Sequence, residues 1–457
     1  MRKYIYIVII GATFLSSCKI GQRYKQPEMQ DMPDSFASTS LQMDSTTVGD
    51  IGWTTLYSDP ALKELVYRAL ENNKDMKIAA ARIKELAANN RISFAEMLPS
   101  IGVEGLFQKE ALDYKNSISP KHRGQFTLNW ELDLWGNLRW ANDASVAKLM
   151  QSVEAQRALH LTIVGQVAQM YFELTALDRK LAIVKQTLVA RQESSWLAKL
   201  RYEGGLTSEI PYRQSLVELA RTETMVPSLE NEIQLKENDL AVLVGAFPSS
   251  LIPRGMGLNK QILPDSLPVD LPSSLLKRRP DVIQAEQKLI EANAKVGMAL
   301  TSIFPNVKLT GKYGVEDAHI SSVLKNPAWW LSGSLLGPVF NFGKNKAIHK
   351  AAKAAYEQEV YSYENKILNV FKEVNNAIVT FEKSKGVRKS REELYTSAKS
   401  YYELARLQYI NGVVNYIDVL DSQRQLFDAE ISLNDALLNE LTSTVTLYKA
   451  LGGGIVE

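Results

Sequence analysis

From Ala141 to Tyr202 the chain carries no proline and a single glycine, Gly165. About 62 residues of unbroken helix at 1.5 Å per residue would run for roughly 90 Å. No compact globular core needs an element of that length. Stripe positions recur every seven residues at Val146, Val153, His160, Val167, Leu174, Leu181 and Leu188, then Ser195 and Tyr202. A companion stripe three residues later holds Leu149, Ile163, Met170, Leu177, Val184 and Ala198. A heptad sustained this far predicts helices packed side by side in coiled-coil fashion. The pattern stops at Gly204-Gly205 and restarts near Ser208, with Pro211 in the first turn of a return helix running to Gly245.

The chain then repeats itself. Ala285 to Pro305 matches Ala79 to Pro99 at an offset of 206. A second long helix is expected from about Lys346 to Tyr409, with its stripe at Val360, Ile367, Val374, Phe381, Arg388, Tyr395, Tyr402 and Tyr409. From Val374 onward these are the first stripe's positions moved by 207. Tyr202-Glu203-Gly204-Gly205 answers Tyr409-Ile410-Asn411-Gly412, and Gly245 answers Gly452. Two copies of helix, strand, strand, long helix and return helix therefore fill residues 60 to 452. Repeat 1 is placed at 59–246 and repeat 2 at 273–457, joined by a proline- and glycine-rich linker, 247–272.

Between the helices the hydrophobic period changes from about 3.6 to 2. Ile101, Val103, Gly105 and Phe107 alternate with polar or small residues. Phe126, Leu128, Trp130, Leu132 and Leu134 then alternate with Gln125, Thr127, Asn129, Glu131 and Asp133, closed by Trp135. Repeat 2 has an alternating strand after Pro305, at Val307, Leu309, Gly311, Tyr313 and Val315. A loop with Trp329-Trp330 leads to a weaker strand, Leu331 to Phe340. The strand pairs are expected within about 99–135 and 305–342. Apolar-out, polar-in strands of about ten residues fit an outer-membrane barrel, with Trp130, Trp135, Trp329 and Trp330 as its interface aromatics. A half-buried soluble hairpin is the competing reading.

The first residues read as a signal peptide, 1–17: Arg2-Lys3, an apolar run from Tyr4 to Leu15, then Ser16-Ser17 before Cys18. The run is too short to span a bilayer stably. Cys18 is the only cysteine, and Leu15-Ser16-Ser17-Cys18 resembles a lipobox. Cys18 is therefore the candidate lipid attachment site, and no disulfide framework is expected. Residues 18–58 read as an extended arm. The net charge of +2 suggests no nucleic-acid partner.

Four strands cannot close a membrane barrel, and free strand edges in lipid leave backbone groups unpaired at several kcal/mol each. Further strands must come from other copies of the chain. The sequence by itself does not choose between two copies and three.

The stretch from Tyr409 to Phe427 is a tight helical hairpin. Asn411-Gly412 ends one helix, Asn415 caps the next, and Asp418, Asp421 and Arg424 follow at i, i+3, i+6. This stretch resembles the signature of TolC-like outer-membrane efflux ducts, in their lipoprotein, NodT-type branch. Arg279-Pro280-Asp281, Phe304-Pro305 and Leu447-Tyr448-Lys449-Ala450-Leu451-Gly452-Gly453-Gly454 carry the same resemblance. Phe340-Asn341-Phe342-Gly343 departs from it where many relatives carry an aspartate-glycine run.

The resemblance implies a mainly α fold with a membrane β-barrel. It implies a homotrimer in which a twelve-stranded outer-membrane barrel continues into a twelve-helix periplasmic barrel. It implies a periplasmic adaptor (membrane fusion) protein, an inner-membrane pump of the proton-driven RND type, and outer-membrane lipid as partners. Lys19 after Cys18 resembles the pattern that releases a lipoprotein to the outer membrane. The hairpin would be the periplasmic gate, formed by Asp418, Asp421, Arg424, Ile417 and Tyr409. On the bland reading Asp418 only caps its helix and Arg424 only pairs with Asp421.

No catalytic motif is present, and the four histidines, His122, His160, His319 and His349, show no metal-ligand spacing. No enzyme activity, cofactor or metal is expected. The rivals to an efflux duct are the duct of a type I protein-secretion system and a structural lipoprotein built on long helices.

Overall fold

A computed structural model describes residues 19–27, 33, 36, 51–108, 111–112, 116–117, 121–261, 272–317, 322–325, 327–338 and 340–454. The expected signal peptide 1–17, Cys18, most of the arm before residue 51, linker residues 262–271 and His319 lie outside the described residues.

The elements run in order α1 (Pro60–Asn72), α2 (Lys74–Ala95), β1 (Ser100–Gln108), β2 (Lys121–Leu132), α3 (Asn137–Glu203) and α4 (Glu209–Leu243). There follow α5 (Pro272–Arg278), α6 (Pro280–Thr301), β3 (Asn306–Asp317), β4 (Pro327–Leu336), α7 (Lys344–Ile410) and α8 (Tyr416–Ala450). A one-turn helix, Trp53–Leu56, precedes them. The repeat is visible residue by residue. Both α3 and α7 are 67 residues long, and both α4 and α8 are 35. α3 ends with Gly205 N–H donating to Tyr202 O and Leu206 N–H to Arg201 O; α7 ends with Gly412 to Tyr409 and Val413 to Gln408. These are the same two capping bonds moved by 207. Gly205 and Gly412 hold φ of +70° and +76°, which a side chain would strain.

The chain forms two compact units, each drawing on both repeats. One comprises residues 1–30, 81–154 and 282–366; the other comprises 31–80, 155–281 and 367–457.

The first unit contains an antiparallel sheet of order β1-β2-β3-β4. Register places Ile101, Phe126, Leu128, Trp130, Leu309, Tyr313, Trp329, Leu331 and Leu335 on one face, because cross-strand partners share a face. Many of these are bare: Ile101 is 74% exposed and Trp329 78%. The other face carries the charges. Arg123 meets Glu316 at 3.0 Å, Lys308 meets Glu131 at 3.3 Å, and Lys312 lies 3.8 Å from Glu104.

Two strand expectations need correction. β2 stops at Leu132, so Leu134 and Trp135 are not strand residues. Asp133 instead accepts the backbone N–H groups of Leu138 and Arg139 and pairs with the Arg139 side chain at 3.0 Å, which turns the chain into α3. β4 begins at Pro327 and ends at Leu336, so Trp329 and Trp330 are inside the strand and Pro338 is outside it. Pro327 takes the first strand position, where its missing N–H is tolerated.

The second unit is helical: it holds α1, α4, α5, α8 and the later parts of α3 and α7. Part of its stripe is buried: Val167, Leu174, Val184, Val374 and Phe381. Two polar nodes pin it. Asp59, fully buried, caps α1 through Ala61 N–H and also accepts from Tyr171 Oη (2.7 Å), Met256 N (2.8 Å) and Gln261 Nε2 (2.7 Å). Burial works against its charge, yet these hydrogen bonds hold its carboxyl below the usual range. Arg279 explains the Arg-Pro-Asp motif: it grips Asp281 with two nitrogens, Glu373 at 2.8 Å, and the Ala450 carbonyl at 2.7 Å. Among the described residues, no helix is long and apolar enough to cross a membrane.

Candidate functional site

The α7–α8 turn is closed by an aromatic cluster. Tyr409 and Tyr416 are each 5% exposed, their rings 5.8 Å apart, and they pack with Val419 and Leu420. The Arg201 guanidinium lies 4.5 Å above the Tyr409 ring and donates to the Tyr409 carbonyl at 3.1 Å. The ends of α3 and α7 are thereby tied together. Tyr416 is pushed up to about 12, first by burial and then by the neighbouring Tyr409. It therefore stays a neutral phenol.

The five expected hairpin residues take different roles. Asp418 turns back to accept the Asn415 N–H at 3.0 Å, half of a capping box. Asp421 is exposed and accepts from Gln425 at 2.8 Å, one turn along its own helix. It also holds the hydroxyl of Tyr401, whose pKa is raised by desolvation and by the nearby Asp421 and Asp418 charges. Ile417 is 53% exposed at the turn, whereas Tyr409 belongs to the cluster beneath it. Arg424 does not pair with Asp421. It reaches across to Glu218 on α4.

Glu218 is the residue that pattern reading misses. Its side chain is 3% exposed, yet it meets Arg424, Arg191 at 3.1 Å and Arg221 at 3.5 Å. Arg191, also buried, donates to Thr222 Oγ1 and to the Glu218 carbonyl. Three helices, α3, α4 and α8, thus converge on one carboxylate. A signal existed: Arg191 falls on the companion stripe between Val184 and Ala198, a charge at an otherwise apolar position. Such a charge needs a buried partner.

The four tryptophans do not form one set. Trp130 lies on the apolar face, with Nε1 donating to the Met97 carbonyl at 3.2 Å. Trp329 shares that face. Trp330, its neighbour in an alternating strand, lies on the charged face opposite Lys312, whose ammonium sits 5.8 Å from its ring. Trp135 stacks on Phe304 at 5.0 Å and donates to the Pro305 carbonyl at 2.8 Å, so it packs within the protein at the strand ends.

The residues following Cys18 are also fixed in the first unit. Ile20 N–H donates to the Trp135 carbonyl at 3.1 Å, and the Ile20 carbonyl accepts from Trp140 Nε1 at 2.8 Å. The Lys19 ammonium lies 3.4 Å over the Trp140 ring and pairs with Asp143.

An antiparallel sheet with a charged and an apolar face, doubled helical hairpins and a capped acidic turn fit one family model, that of the outer membrane efflux proteins, which matches residues 65–246 and 271–453. The chain belongs to this family. It is an outer-membrane efflux channel. It is 30% identical to the outer membrane protein OprJ of Pseudomonas aeruginosa, over 99% of this chain and 97% of that one. It is 28% identical to the probable outer membrane lipoprotein SilC of Salmonella typhimurium, over the full length of both. The solved open state of the MtrE outer membrane channel of Neisseria gonorrhoeae superposes with a TM-score of 0.89 at 25% identity, covering 96% of this chain and 99% of that one. The TolC-like fold expected from the hairpin motif is the fold of these channels.

Proposed function

We propose that the chain is the gated outer-membrane duct of a tripartite efflux system, a homotrimer lipid-anchored at Cys18, that passively conducts drugs, toxic compounds or metal ions. The observation that carries it is the sheet. Its apolar face is bare, its opposite face is ion-paired, and the outer edges of β1 and β4 have no strand partner among the described residues. Bare apolar side chains suit lipid, ion-paired ones suit a water-filled lumen, and unpaired edges demand further strands. Three copies supply twelve. The partners are a periplasmic adaptor protein and a proton-driven RND-type inner-membrane pump. The docked Lys19-Ile20 segment supports the anchor, because it holds the residues that follow the lipobox beside Trp135 and Trp140. The relatives' names span a lipoprotein and a cation efflux protein, in keeping with a duct whose cargo is chosen by its pump.

The gate is the α7–α8 turn: Ile417 and Asp421 at its exposed rim, Asp418 as cap, Tyr409 as packing beneath, and Arg424 latched to Glu218. Planar-bilayer recording tests the whole reading. The purified protein should give a small resting conductance that Arg424→Ala increases; no conductance from either form, in protein shown to be inserted, would overturn it.

A further inference from the structure

The residues that follow the lipobox lie in a socket that the internal repeat does not account for. Trp140, near the start of α3, is 3% exposed, and its indole N–H finds an acceptor in the Ile20 carbonyl at 2.8 Å. The Trp135 carbonyl accepts the Ile20 N–H at 3.1 Å. The Lys19 ammonium lies 3.4 Å from the centre of the Trp140 ring and pairs with Asp143, further along α3. Two glycines clear the space. A Cβ on Gly297, inside α6, would enter the Trp140 indole; a Cβ on Gly136 would come within 2.8 Å of the Lys19 side chain. Glycine weakens a helix interior, and at Gly297 the indole gives the reason for it.

Beyond the socket the arm runs over α6 and α7. Asn293 Nδ2 donates to the Gln22 carbonyl at 3.2 Å, Tyr24 Oη donates to Glu286 at 3.2 Å, and Gln26 Nε2 donates to Tyr363 Oη at 3.0 Å.

The repeat supplies a control. Moved by 207, Trp140 and Asp143 become Ala347 and Lys350; moved back by 206, Gly297 becomes Arg91. Glu286 and Asn293 become Ala80 and Ala87. Gly136 keeps its identity, as Gly343. The counterparts thus offer no ring for the ammonium, a cation in place of its carboxylate, and a long side chain in place of the clearing. Packing shared by the two repeats would preserve these residues. They differ where they hold the arm, or make room for what holds it.

We propose that Lys19 is a positioning residue, the latch that seats the N-terminal arm in a socket reserved for it on α3 and α6. The ammonium is gripped by the indole face and by the Asp143 carboxylate. Seating it brings Ile20 to the hydrogen bonds that satisfy the buried Trp140 N–H and the Trp135 carbonyl. Position 19 thereby has a task in the fold that is separate from the sorting role the lipoprotein resemblance gives it, and that needs neither lipid nor conduction.

Limited trypsin digestion of the full-length protein extracted from membranes tests the latch. Arg23 and Lys25 are exposed, and cleavage after them requires the arm to lift. Lys19→Glu and Asp143→Lys should each speed the release of N-terminal peptides ending at Arg23 or Lys25 by about tenfold, read by mass. Asp143 is 48% exposed, so changing it spares the core, and it leaves the sorting residues untouched. Lys19→Arg should keep the wild-type rate, since a guanidinium also stacks on an indole and pairs with a carboxylate. Lys19→Glu combined with Asp143→Lys should be cleaved more slowly than either single change. Lys350→Asp, a charge reversal at the repeat counterpart, should leave the rate unchanged. A wild-type rate from Asp143→Lys, an exchanged pair cleaved as fast as either single change, or equal acceleration by Lys350→Asp would overturn the latch.

Discussion

Arg424 on α8 pairs with Glu218 on α4, although Asp421 lies one turn away on its own helix. The choice follows from burial. Glu218 is shut away from water and already held by Arg191, so a second cation removes more electrostatic penalty there than at an exposed aspartate. The latch therefore ties α8 to α4, the return helix of the other repeat.

Removing either end should have unequal effects. Glu218→Ala strands Arg191 in a buried site and should cost about 3 kcal/mol of unfolding free energy. Arg424 is about half exposed, so Arg424→Ala should cost about 1 kcal/mol. Both should raise resting conductance. In a double-mutant cycle by denaturant unfolding, the two changes should be strongly non-additive; additive effects would mean that the pair is not coupled.

The latch should also set an acid threshold. Burial opposes the Glu218 charge, but the hydrogen bond from Arg424 and the charges of Arg191, Arg424 and Arg221 prevail, holding its carboxyl below the ordinary 4.5. A depressed carboxylate stabilises the fold above its ordinary value, and that contribution is lost as pH falls through the folded value. Resting conductance should stay flat from neutral pH to about 4.5 and climb only below it. Glu218→Gln should remove the acid limb. An opening centred near pH 6 would assign the response to another group.

The two aspartates should separate. Asp421 projects from the turn, so three-fold symmetry would gather its copies around one axis, where multivalent cations bind. Asp421→Ala should weaken cation block measured from the periplasmic side. Asp418 is engaged in its helix cap, and Asp418→Ala should instead cost about 1 kcal/mol of stability. The repeat-1 counterparts, Pro211 and Gln214, should give smaller effects on block when changed.

Much of this fold was legible because it is repetitive. A proline-free heptad and a glycine at each end specify a long helix without knowledge of its neighbours, and α3 and α7 lie within a few residues of the stretches so marked. The latch was less legible. Glu218 and Arg424 are separated by 206 residues, and only packing brings them together. Arg191 stood on an apolar stripe and could have been read as a buried charge in need of a partner. The tryptophan pair failed for a different reason. The sequence pattern puts Trp329-Trp330 in a loop before a strand from Leu331 to Phe340, whereas pairing with β3 from Val315 onward starts the strand at Pro327.

The proposed anchor should be separable from the channel. Lys19 and Ile20 are held by Trp135, Trp140 and Asp143 through contacts that use no atom of residue 18. Cys18→Ala should abolish acyl labelling yet leave heat-resistant oligomers in the membrane. Label remaining on the mutant chain would place the modification elsewhere.

Neighbouring residues of β4 should respond oppositely to the same charge. Leu331 lies on the apolar face, opposite Gly311, and is 69% exposed; Ser332 lies on the charged face, opposite Thr310. An arginine on a lipid-facing strand position costs about 2–4 kcal/mol near the bilayer midplane and less toward either interface. Leu331→Arg should therefore reduce the yield of assembled, heat-resistant oligomer. Ser332→Arg adds a cation to a face that already carries Arg123, Lys308 and Lys312 beside Glu104, Glu131 and Glu316. It should assemble normally and shift the reversal potential in a salt gradient toward anion preference. Trp330, on that same face, should follow Ser332 when changed to glutamine, while Trp329→Gln should follow Leu331. If Trp330→Gln impairs assembly as much as Trp329→Gln and leaves conduction unchanged, the register that sets Trp330 beside Lys312 does not hold in the membrane.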